Sequence, residues 1–325
     1  MVTKLRLCLP VGHSPYQNLA LEEYLMRSCE SGECILSLWR NENTVVIGRN
    51  QNARQECRVD ALEADGGRLA RRLSGGGAVF HDLGNLNFSF LARDPDYNVD
   101  RQLSVIQAAL RRFGLNAEKT GRNDLTVDGR KFSGNAFLRE GQARCHHGTL
   151  LISVSGAALG KYLTPDPAKL AAKGVKSVPA RVVNLADLCP ALTVDSIVPA
   201  LREAFGEVYG LPVEDLPLDA LDWAAIGAGE ARLADPAWIF GRDPSFNRHS
   251  SRQRFAWGSA ELALSVEEGT IREAMLFTDA MDETLSARVA DSLAGVPLTE
   301  AAARLSALPD TEAAGDLARL LSEVV

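Results

Sequence analysis

The sequence predicts a mixed α/β fold in which a large domain precedes a smaller α+β one. Short apolar runs with the spacing of strands are interleaved with amphipathic helical segments along the whole chain. The chain has 325 residues, of which 46% are hydrophobic, and this is enough for a sizeable core. A chain of this length accommodates one large domain or two unequal ones.

The first helix is predicted to begin just after Ser14. A serine at this position accepts a helical N–H, Pro15 suits the first helical position, and Gln17 stands where a capping box places a glutamine. Gly32 provides a natural stop. Strands are predicted at residues 35–39, 44–47, 86–90 and 149–154, and the alternation of apolar and polar residues at 86–90 predicts a half-buried strand.

A β-hairpin is predicted around Asp128-Gly129. An Asp-Gly pair between two strand-like runs, here residues 125–127 and 130–133, favours a tight two-residue turn. Helical spacing predicts further helices at residues 103–113 and 194–209. Asp166-Pro167 predicts the start of a short helix that Gly174 ends.

The chain changes character near residues 227–244. This stretch is rich in Gly, Ala, Asp and Pro, and it is interpreted as a linker. Beyond it, residues 260–266 and 271–277 alternate as strands on either side of a turn at 267–270, and helical segments follow. The predicted domains are therefore residues 1–245 and residues 246–325.

Composition excludes several classes of protein. A net charge of −7 is not the basic footprint of a nucleic-acid-binding protein. The six cysteines form no C-x-x-C pair and indicate neither a zinc site nor a disulfide framework. The first residues are too polar for a signal peptide, and no apolar run is long enough to span a membrane. A cytoplasmic protein is expected.

Residues 71–81, Arg-Arg-Leu-Ser-Gly-Gly-Gly-Ala-Val-Phe-His, are the most informative segment. Consecutive glycines let the backbone approach a ligand and let N–H groups converge on an anion. Arg71 and Arg72 add planar positive charge. The segment matches neither the P-loop nor the Rossmann pattern. It predicts a site for an anionic nucleotide or an acyl-phosphate, with a tight turn as the alternative.

Two further segments carry residues of chemical interest. Lys131 follows the predicted hairpin turn and is close in sequence to the small residues Gly134 and Ala136, which suit a backbone packed against a ligand; a solvated edge lysine is the alternative. In Cys145-His146-His147 the two histidines point to opposite faces of a strand and do not share a metal. Cys145 beside a histidine is a candidate nucleophile, or else an inert packing residue.

Together, these segments resemble the bacterial lipoate-protein ligases. The family pattern R-R-x-S-G-G-G-A-V-x-H-D-x-G-N is similar to residues 71–85, and G-R-N-D is found at 121–124. The later motifs G-R-K-x-S-G-x-A, H-H-G-T-L-L and K-G-V-x-S-V-x-x-R-V-x-N-L resemble residues 129–136, 146–151 and 173–185. Residues 43–52, 238–241 and 254–258 are also similar to the family, so the resemblance covers nearly the whole chain.

The resemblance implies a reaction in two halves. Lipoate and ATP give lipoyl-AMP and pyrophosphate, and the lipoyl group then passes to a lysine of a lipoyl domain. The implied acceptors are 2-oxoacid dehydrogenase E2 subunits and the glycine-cleavage H protein, and the implied cofactors are ATP and Mg²⁺. The implied fold is a biotin- and lipoate-ligase-like catalytic domain followed by a C-terminal accessory domain that moves during the cycle.

The resemblance also assigns roles to residues. Lys131 is the catalytic lysine, which reaches the lipoyl carboxyl group and the α-phosphate, and Asp124 is a ligand for Mg²⁺ held with ATP. Arg72 holds phosphate or carboxylate. The residues expected to bind ATP or lipoyl-AMP are Arg72, Ser74, Gly75, Gly76, Gly77, Ala78, Val79, Phe80, His81, Asn123, Asp124, Lys131, Gly134, Ala136, His147, Gly148 and Thr149.

Three alternatives remain at this point. One is an octanoyl or lipoyl transferase that works without ATP through a thioester on Cys145. Another is a transferase that uses lipoyl-AMP but does not make it, and the third is an inactive scaffolding paralogue. Lipoate and octanoate are both candidate substrates, and a monomer is expected. Because the chain is acidic overall, docking of an acidic lipoyl domain requires a local basic patch, with Arg122, Arg130, Lys173, Lys176 and Arg181 as its candidates.

Overall fold

The computed structural model describes residues 1–121, 123–164, 182–241, 246–309 and 312–324. Eleven of the described strands precede residue 216 and are numbered β1 to β11 in chain order. Their bounds are β1 Lys4–Cys8, β2 Glu33–Trp39, β3 Thr44–Ile47, β4 Arg68–Arg71, β5 Val79–His81, β6 Asn85–Arg93, β7 Glu118–Thr120, β8 Asp124–Val127, β9 Arg130–Glu140, β10 Ala143–Leu151 and β11 Val213–Asp215.

Within the described residues, eight of these strands form one mixed sheet. Its order is β11-β1-β2-β6-β10-β9-β8-β7. The pairs β11/β1 and β1/β2 are parallel, and the pairs from β2/β6 to β8/β7 are antiparallel. A second sheet of described strands has the order β4-β3-β5 and presents the glycine run between β4 and β5. This mixture of parallel and antiparallel pairs confirms the predicted fold class.

Helices cover both faces of the large sheet. One face packs with helices α4 (Val99–Arg111) and α7 (Val194–Tyr209) around a core that includes Phe88, Phe90 and Phe205. The other face packs with α1 (Pro15–Ser28) and α8 (Trp223–Ala234) around Ile35, Trp39 and further apolar residues. The described helices before residue 240 are α1 Pro15–Ser28, α2 Ala53–Glu56, α3 Val59–Ala64, α4 Val99–Arg111, α5 Gly156–Tyr162, α6 Leu185–Leu188, α7 Val194–Tyr209, α8 Trp223–Ala234 and α9 Pro236–Ile239.

The prediction of a half-buried strand at residues 86–90 was wrong about burial. Strand β6 lies in the middle of the large sheet, with β2 on one side and β10 on the other, and its first eight residues are all buried. The polar members of the alternation, Asn87 and Ser89, have 2% and 0% of their surface exposed. Alternation here separates an apolar face from a buried polar face, and this polar face reappears in the candidate site.

Several local predictions are confirmed by backbone geometry. Ser14 caps α1 by accepting from the N–H of Gln17. The hairpin turn places Asp128 and Gly129 at φ of 51° and 73°, which is the left-handed pair that an Asp-Gly turn requires. The helix predicted at 194–209 has those bounds in the structure and begins with a capping box at Thr193. The strand predicted at 149–154 is confirmed only as far as Leu151, where β10 ends, and residues 152–154 are not part of a strand. The helix predicted at 166–174 lies outside the described residues.

The linker predicted at residues 227–244 was wrong over most of its length. Helices α8 and α9 occupy Trp223–Ala234 and Pro236–Ile239. The run of alanines favours a helix, and Gly229 is small because α8 packs closely on α1: a Cβ there would lie 3.2 Å from the Cβ of Ala20. The glycine thus serves helix packing rather than chain flexibility.

The remaining described strands and helices form a separate small sheet and its helices. The strands are β12 Arg248–His249, β13 Gln253–Arg254, β14 Ser259–Glu267 and β15 Thr270–Thr278, with β14 pairing with the other three. The predicted hairpin of two strands around residues 267–270 is confirmed. Helices α10 Leu285–Leu293, α11 Ala301–Ser306 and α12 Ala314–Leu321 pack on this sheet around a core of their own. The predicted boundary at 245/246 adjoins residues 242–245, which lie outside the described residues, and it stays a prediction.

None of the described helices combines the length and the apolar composition that crossing a membrane requires.

Candidate functional site

A cavity of about 290 Å³ lies between the glycine run, strands β9 and β10, and the small C-terminal sheet. It brings together predicted site residues from separate segments of the chain, from Arg72 to Thr149. Of the predicted site residues, only Ser74 and Gly75 are not part of its lining. The predicted residues that line it are Arg72, Gly76, Gly77, Ala78, Val79, Phe80, His81, Asn123, Asp124, Lys131, Gly134, Ala136, His147, Gly148 and Thr149.

The cavity also has an apolar lining that the sequence analysis did not locate. These side chains come from α1, β2, β3, β10 and α5 and from the residue after α5, so no short motif contains them. Sequence alone offers no signal for such a surface, because each residue is an ordinary core residue of its own element. The residues are Leu19, Trp39, Val46, Leu151, Leu159 and Leu163.

The two arginines before the glycine run have different surroundings. Arg71 is turned away from the cavity and donates to the backbone carbonyls of Gly48, Arg49, Gln51, Trp238 and Ile239 at 2.6 to 3.1 Å. It joins its own strand β4 to the backbone of residues 48–51 and 238–239, and it is not part of the cavity lining. The expectation that both arginines supply charge to a ligand was therefore wrong for Arg71.

Arg72 lines the cavity and shapes the glycine run. Its Nε donates to Ser74 Oγ at 3.1 Å, and its Nη2 donates to the carbonyls of Gly75 and Gly77 at 2.7 and 2.9 Å. Burial lowers the pKa of Arg72 to about 10, against an opposing effect of the Glu22 carboxylate, so the guanidinium carries its charge at neutral pH. Arg72 thus holds a positive charge at the cavity wall while it fixes the loop around itself.

The glycines of the run are required by a second backbone as well. A Cβ on Gly75 would lie 2.4 Å from the carbonyl oxygen of Ala280, which is in the C-terminal part of the chain. The Gly76 N–H donates to the same carbonyl at 2.9 Å, with φ of 88° at Gly76. These glycines were predicted to allow close approach to a ligand, whereas the backbone that Gly75 approaches in this structure is that of residues 280–281.

Lys131 and Asp124 form an ion pair in the cavity wall. The lysine Nζ lies 2.6 Å from the carboxylate oxygen, with side-chain exposures of 21% and 13%. Asp124 is the first residue of β8, and Lys131 is the second residue of β9, past the hairpin turn. A Cβ on Gly134 would lie 2.8 Å from Lys131 Nζ, so the glycine leaves room for the lysine side chain to lie along the strand. A cation and a carboxylate therefore meet at one point of the cavity.

Asn123 is held by a pair of amide hydrogen bonds. Its Nδ2 donates to the carbonyl of Asn135 at 2.9 Å, and Asn135 Nδ2 donates to the carbonyl of Asn123 at 3.0 Å. Behind this pair, His146 Nε2 contacts Asn135 Oδ1 at 2.9 Å, and burial lowers the pKa of His146 to about 3. Asn135 lines the cavity but was missed by the sequence analysis.

His147 lies on the opposite face of β10 from His146, as predicted, and is part of a buried hydrogen-bond chain. Its Nε2 lies 2.7 Å from Ser74 Oγ, and its Nδ1 lies 2.9 Å from both carboxylate oxygens of Glu22. Glu22 also accepts from the hydroxyl of Ser89. Burial opposes the ionised form of Glu22, but interactions with His147, Ser89 and Arg72 outweigh it, and the pKa of this carboxyl lies below its usual value.

Cys145 is unsuited to covalent catalysis. None of its surface is exposed, and burial followed by the neighbouring charge of Glu22 raises the pKa of its thiol well above the usual value. Nucleophilic attack requires a thiolate and access to the substrate. Cys145, Glu22 and His147 also form a group with metal-ligand atoms within 4.8 Å of one another, but they already hydrogen-bond to one another as an internal network.

The C-terminal part of the chain contributes to the cavity wall. Arg254 donates to Asp279 at 3.1 Å, and Arg252 donates to Glu56 of α2 at 2.6 Å. Residues 254–258 resemble the family in sequence, but no local pattern predicted a place for them in the site. The lining residues from this part are Arg252, Arg254, Ala256, Trp257, Gly258, Asp279 and Met281.

Comparison with known proteins now adds to this geometry. Residues 14–206 match the family model described as lipoyl protein ligase A/B catalytic domain, and residues 243–308 match the model for the C-terminus of bacterial lipoate protein ligases. The chain is 42% identical over 301 residues to a lipoate-protein ligase A of Psychrobacter cryohalolentis, covering 90% of this chain and 88% of that one. The chain belongs to the lipoate-protein ligase family.

Solved structures of lipoate ligases are similar to this one. The P. falciparum LipL1 in complex with lipoate has a TM-score of 0.83 at 28% identity, covering 97% of this chain and 98% of that one. A lipoate-protein ligase A bound with ATP has a TM-score of 0.61 at 26% identity, covering 74% of this chain and 99% of that one. Membership of the ligase family and the fold implied by the resemblance are both confirmed.

The predicted basic docking patch lies mostly outside the described residues. Arg130 is described and exposed at the hairpin, whereas Arg122, Lys173, Lys176 and Arg181 are not among the described residues.

Proposed function

We propose that this ligase uses ATP to activate lipoate as lipoyl-AMP and then transfers the lipoyl group to a lysine of a lipoyl domain. The observation that carries the proposal is the Lys131–Asp124 pair, which faces the same cavity as Arg72 and the glycine run. Two anions, a carboxylate and a triphosphate, react in the first half. Their approach requires fixed positive charge where negative charge builds up, and this wall supplies it.

In the activation step, a carboxylate oxygen of lipoate attacks the α-phosphorus of ATP. The new bond is the acyl-phosphate linkage, and the bond to the β-phosphate oxygen breaks, releasing pyrophosphate. Lys131 donates to the carboxylate and to the α-phosphate, which requires it to exchange Asp124 for the substrates. Arg72 contributes its charge behind the glycine run, and the apolar lining that includes Trp39 and Leu151 receives the acyl chain.

In the transfer step, the amine of the acceptor lysine attacks the carbonyl carbon of lipoyl-AMP. An amide bond forms, the bond from the carbonyl carbon to the phosphate oxygen breaks, and AMP leaves with the electron pair. The amine loses its proton to solvent. Lys131 and Asn123 lie on the cavity wall where they can hold the departing phosphate oxygens.

The cavity carboxylates suit Mg²⁺, which prefers oxygen ligands and is commonly bound through one carboxylate and the substrate phosphates. Asp124 is the residue proposed to hold it with ATP, once Lys131 has turned to the substrates. Bound Mg²⁺ supplies neutralisation of phosphate charge. The proposal further includes a catalytic domain at residues 1–245, an accessory domain at 246–325, a monomer, a cytoplasmic location, and either lipoate or octanoate as the acid.

The thioester alternative is not supported by the site. Cys145 is buried, and the pKa of its thiol is raised, whereas the cationic wall that ATP chemistry requires is present. A transferase that lacks the activation step uses the same cavity, so an assay must separate the two halves.

The test is pyrophosphate release from ATP and lipoate, measured with and without an apo lipoyl domain. We expect release without the acceptor and lipoylation with it. Lys131→Ala is expected to lower release by roughly 10²- to 10³-fold, as for removal of a single oxyanion donor. Lys119→Ala, which removes an exposed lysine paired with Asp100, is the matched control and is expected to behave as the wild type. Normal release by Lys131→Ala contradicts the assignment of this lysine, and no release by the wild type contradicts the activation half.

A further inference from the structure

A buried carboxylate outside the cavity lining is connected to Arg72 by two intervening side chains. Glu22 lies on α1 with 8% of its side chain exposed, and it is not among the residues that line the cavity. The path runs from Glu22 to His147, then to Ser74, then to Arg72, with contacts of 2.9, 2.7 and 3.1 Å. Every member is buried.

The two ends of this path have hydrogen bonds of fixed direction. Arg72 Nε is always a donor, so Ser74 Oγ accepts from it. An ionised Glu22 only accepts, so the hydrogen on His147 Nδ1 is donated to it. The 2.7 Å contact between Ser74 Oγ and His147 Nε2 joins the two ends.

Glu22 is the common acceptor at the far end. It receives the Nδ1–H of His147 and the hydroxyl of Ser89, and Ser89 in turn accepts from the indole N–H of Trp39 at 3.0 Å. An ionised carboxylate accepts hydrogen bonds only, so it keeps a hydrogen on His147 Nδ1 and holds the imidazole ring in place beside Ser74. Ser74 accepts from Arg72, and Arg72 in turn holds the carbonyls of Gly75 and Gly77.

A serine, a histidine and a carboxylate in this order also occur in hydrolytic triads. Here the serine is fully buried, does not line the cavity and accepts from a guanidinium. It is therefore placed to orient Arg72 rather than to attack a substrate.

We propose that Glu22 is a positioning residue for the activation step, which acts through His147 and Ser74 to hold the Arg72 guanidinium and the glycine run in the orientation that receives the triphosphate. The inference rests on the proposed function of Arg72 and Lys131. It concerns activation more than transfer, because lipoyl-AMP has lost the β- and γ-phosphates.

The experiment is a double-mutant cycle on the full chain with Glu22→Gln and Ser74→Ala. No described hydrogen bond joins Glu22 to Ser74 directly, and His147 contacts both, so coupling between the two substitutions reports this hydrogen-bonded path. Each single variant is expected to lower kcat/KM for ATP in pyrophosphate release by about 10²-fold, the scale of a misplaced catalytic group. The double variant is expected to lose about as much as either single one, and transfer from preformed lipoyl-AMP is expected to change only a few-fold.

Glu23→Gln is the matched control. Glu23 is the next residue of α1, and its side chain is 5% exposed. It pairs with Arg27 and Arg232 rather than with His147 or Ser74. This variant is expected to leave pyrophosphate release unchanged, which distinguishes an effect of the hydrogen-bonded path from the general effect of losing a buried charge. Should Glu22→Gln fail to fold, Glu22→Asp keeps the charge and enters the same cycle; its loss is expected to be smaller, and the double variant with Ser74→Ala is expected to lose no more than Ser74→Ala alone.

Additive losses in the cycle overturn the inference. So does a Glu22→Gln protein that releases pyrophosphate like the wild type, or one in which both half-reactions fall equally. A wild type that releases no pyrophosphate from ATP and lipoate contradicts the proposed function itself, which distinguishes the two failures.

Discussion

Gly75→Ala tests the contact between the glycine run and the C-terminal part of the chain. The added Cβ would lie 2.4 Å from the carbonyl oxygen of Ala280, 2.7 Å from the carbonyl oxygen of Met281 and 2.8 Å from its carbonyl carbon. All three atoms belong to the backbone, which does not rotate away as a flexible side chain does. Real Cβ contacts below 3.0 Å are essentially never seen, so the two backbones must separate.

The cost follows from two contributions. Forcing an extra methyl group into a packed site costs about 1–3 kcal/mol. Separation also weakens the hydrogen bond from the Gly76 N–H to Ala280, which contributes about 0.5–1.5 kcal/mol. The total of roughly 1.5–4.5 kcal/mol disfavours the packed arrangement by about 10- to 10³-fold, since 1.4 kcal/mol is a factor of ten.

Two measurements check this expectation. Thermal unfolding should begin at a lower temperature, by about 2–4 °C for each kcal/mol in a domain of 150–250 residues. Pyrophosphate release should fall as well, because the displaced loop carries Gly76 and the Arg72 contacts. Gly227→Ala is the control: it lies within α8, has no atom within 4 Å of its added Cβ, and is expected to be neutral or to stabilise by about 0.5–1 kcal/mol. A Gly75→Ala protein that matches this control in both measurements refutes the reasoning.

Three further predictions concern single sites. Cys145→Ser keeps a donor beside Glu22 and should retain lipoylation activity, as measured with an apo lipoyl domain; loss of activity with a normal melting temperature would support the thioester route. Gly134→Ala places a Cβ 2.8 Å from Lys131 Nζ, so it should displace the lysine and lower pyrophosphate release with little change in stability. Burial lowers the pKa of His146 from 6.5 to about 3, so the unfolded chain binds a proton there as the pH falls from 6.5 to 3 and the native protein does not. As the pH falls through this window, His146 should lower the free energy of unfolding by about 1.4 kcal/mol per pH unit. His146→Gln should remove that slope in urea unfolding.

The parts of the fold that sequence predicted well are those specified locally. The hairpin at Asp128-Gly129 requires two left-handed residues, and the sequence supplies the pair that adopts them. The capped helices at Ser14 and Thr193 are also fixed by a few neighbouring side chains. Burial of β6 was not predictable in this way, because it depends on which strands and helices lie beside it. The alanine-rich α8 was misread, since Gly229 indicates flexibility in isolation and close packing in the fold.

The same division holds in the candidate site. The glycine run, Lys131 and His147 were found because they belong to compact motifs, and the fold places them around one cavity. Glu22 and Asn135 were missed, because each is an unremarkable residue of its helix or strand until tertiary structure brings it beside a histidine. The C-terminal lining residues, such as Arg254, were missed because a local sequence pattern does not show which distant part of the chain packs over a site.

Gly48 extends the contact between the glycine run and residues 280–281 to a third segment. A Cβ at Gly48 would lie 2.1 Å from the carbonyl oxygen of Gly76. Two residues later, Asn50 donates through Nδ2 to the carbonyl of Glu283 at 3.0 Å, and its own carbonyl accepts from Thr278. Main chain thus approaches main chain at Gly48 and Gly76 and at Gly75 and Ala280, and Asn50 links the first stretch to the third. For protein engineering, the consequence is that the loop is not a transplantable module: a graft of residues 71–81 into another scaffold must carry residues 48–50 and 278–283 with it, and directed evolution of the site should vary the three stretches together.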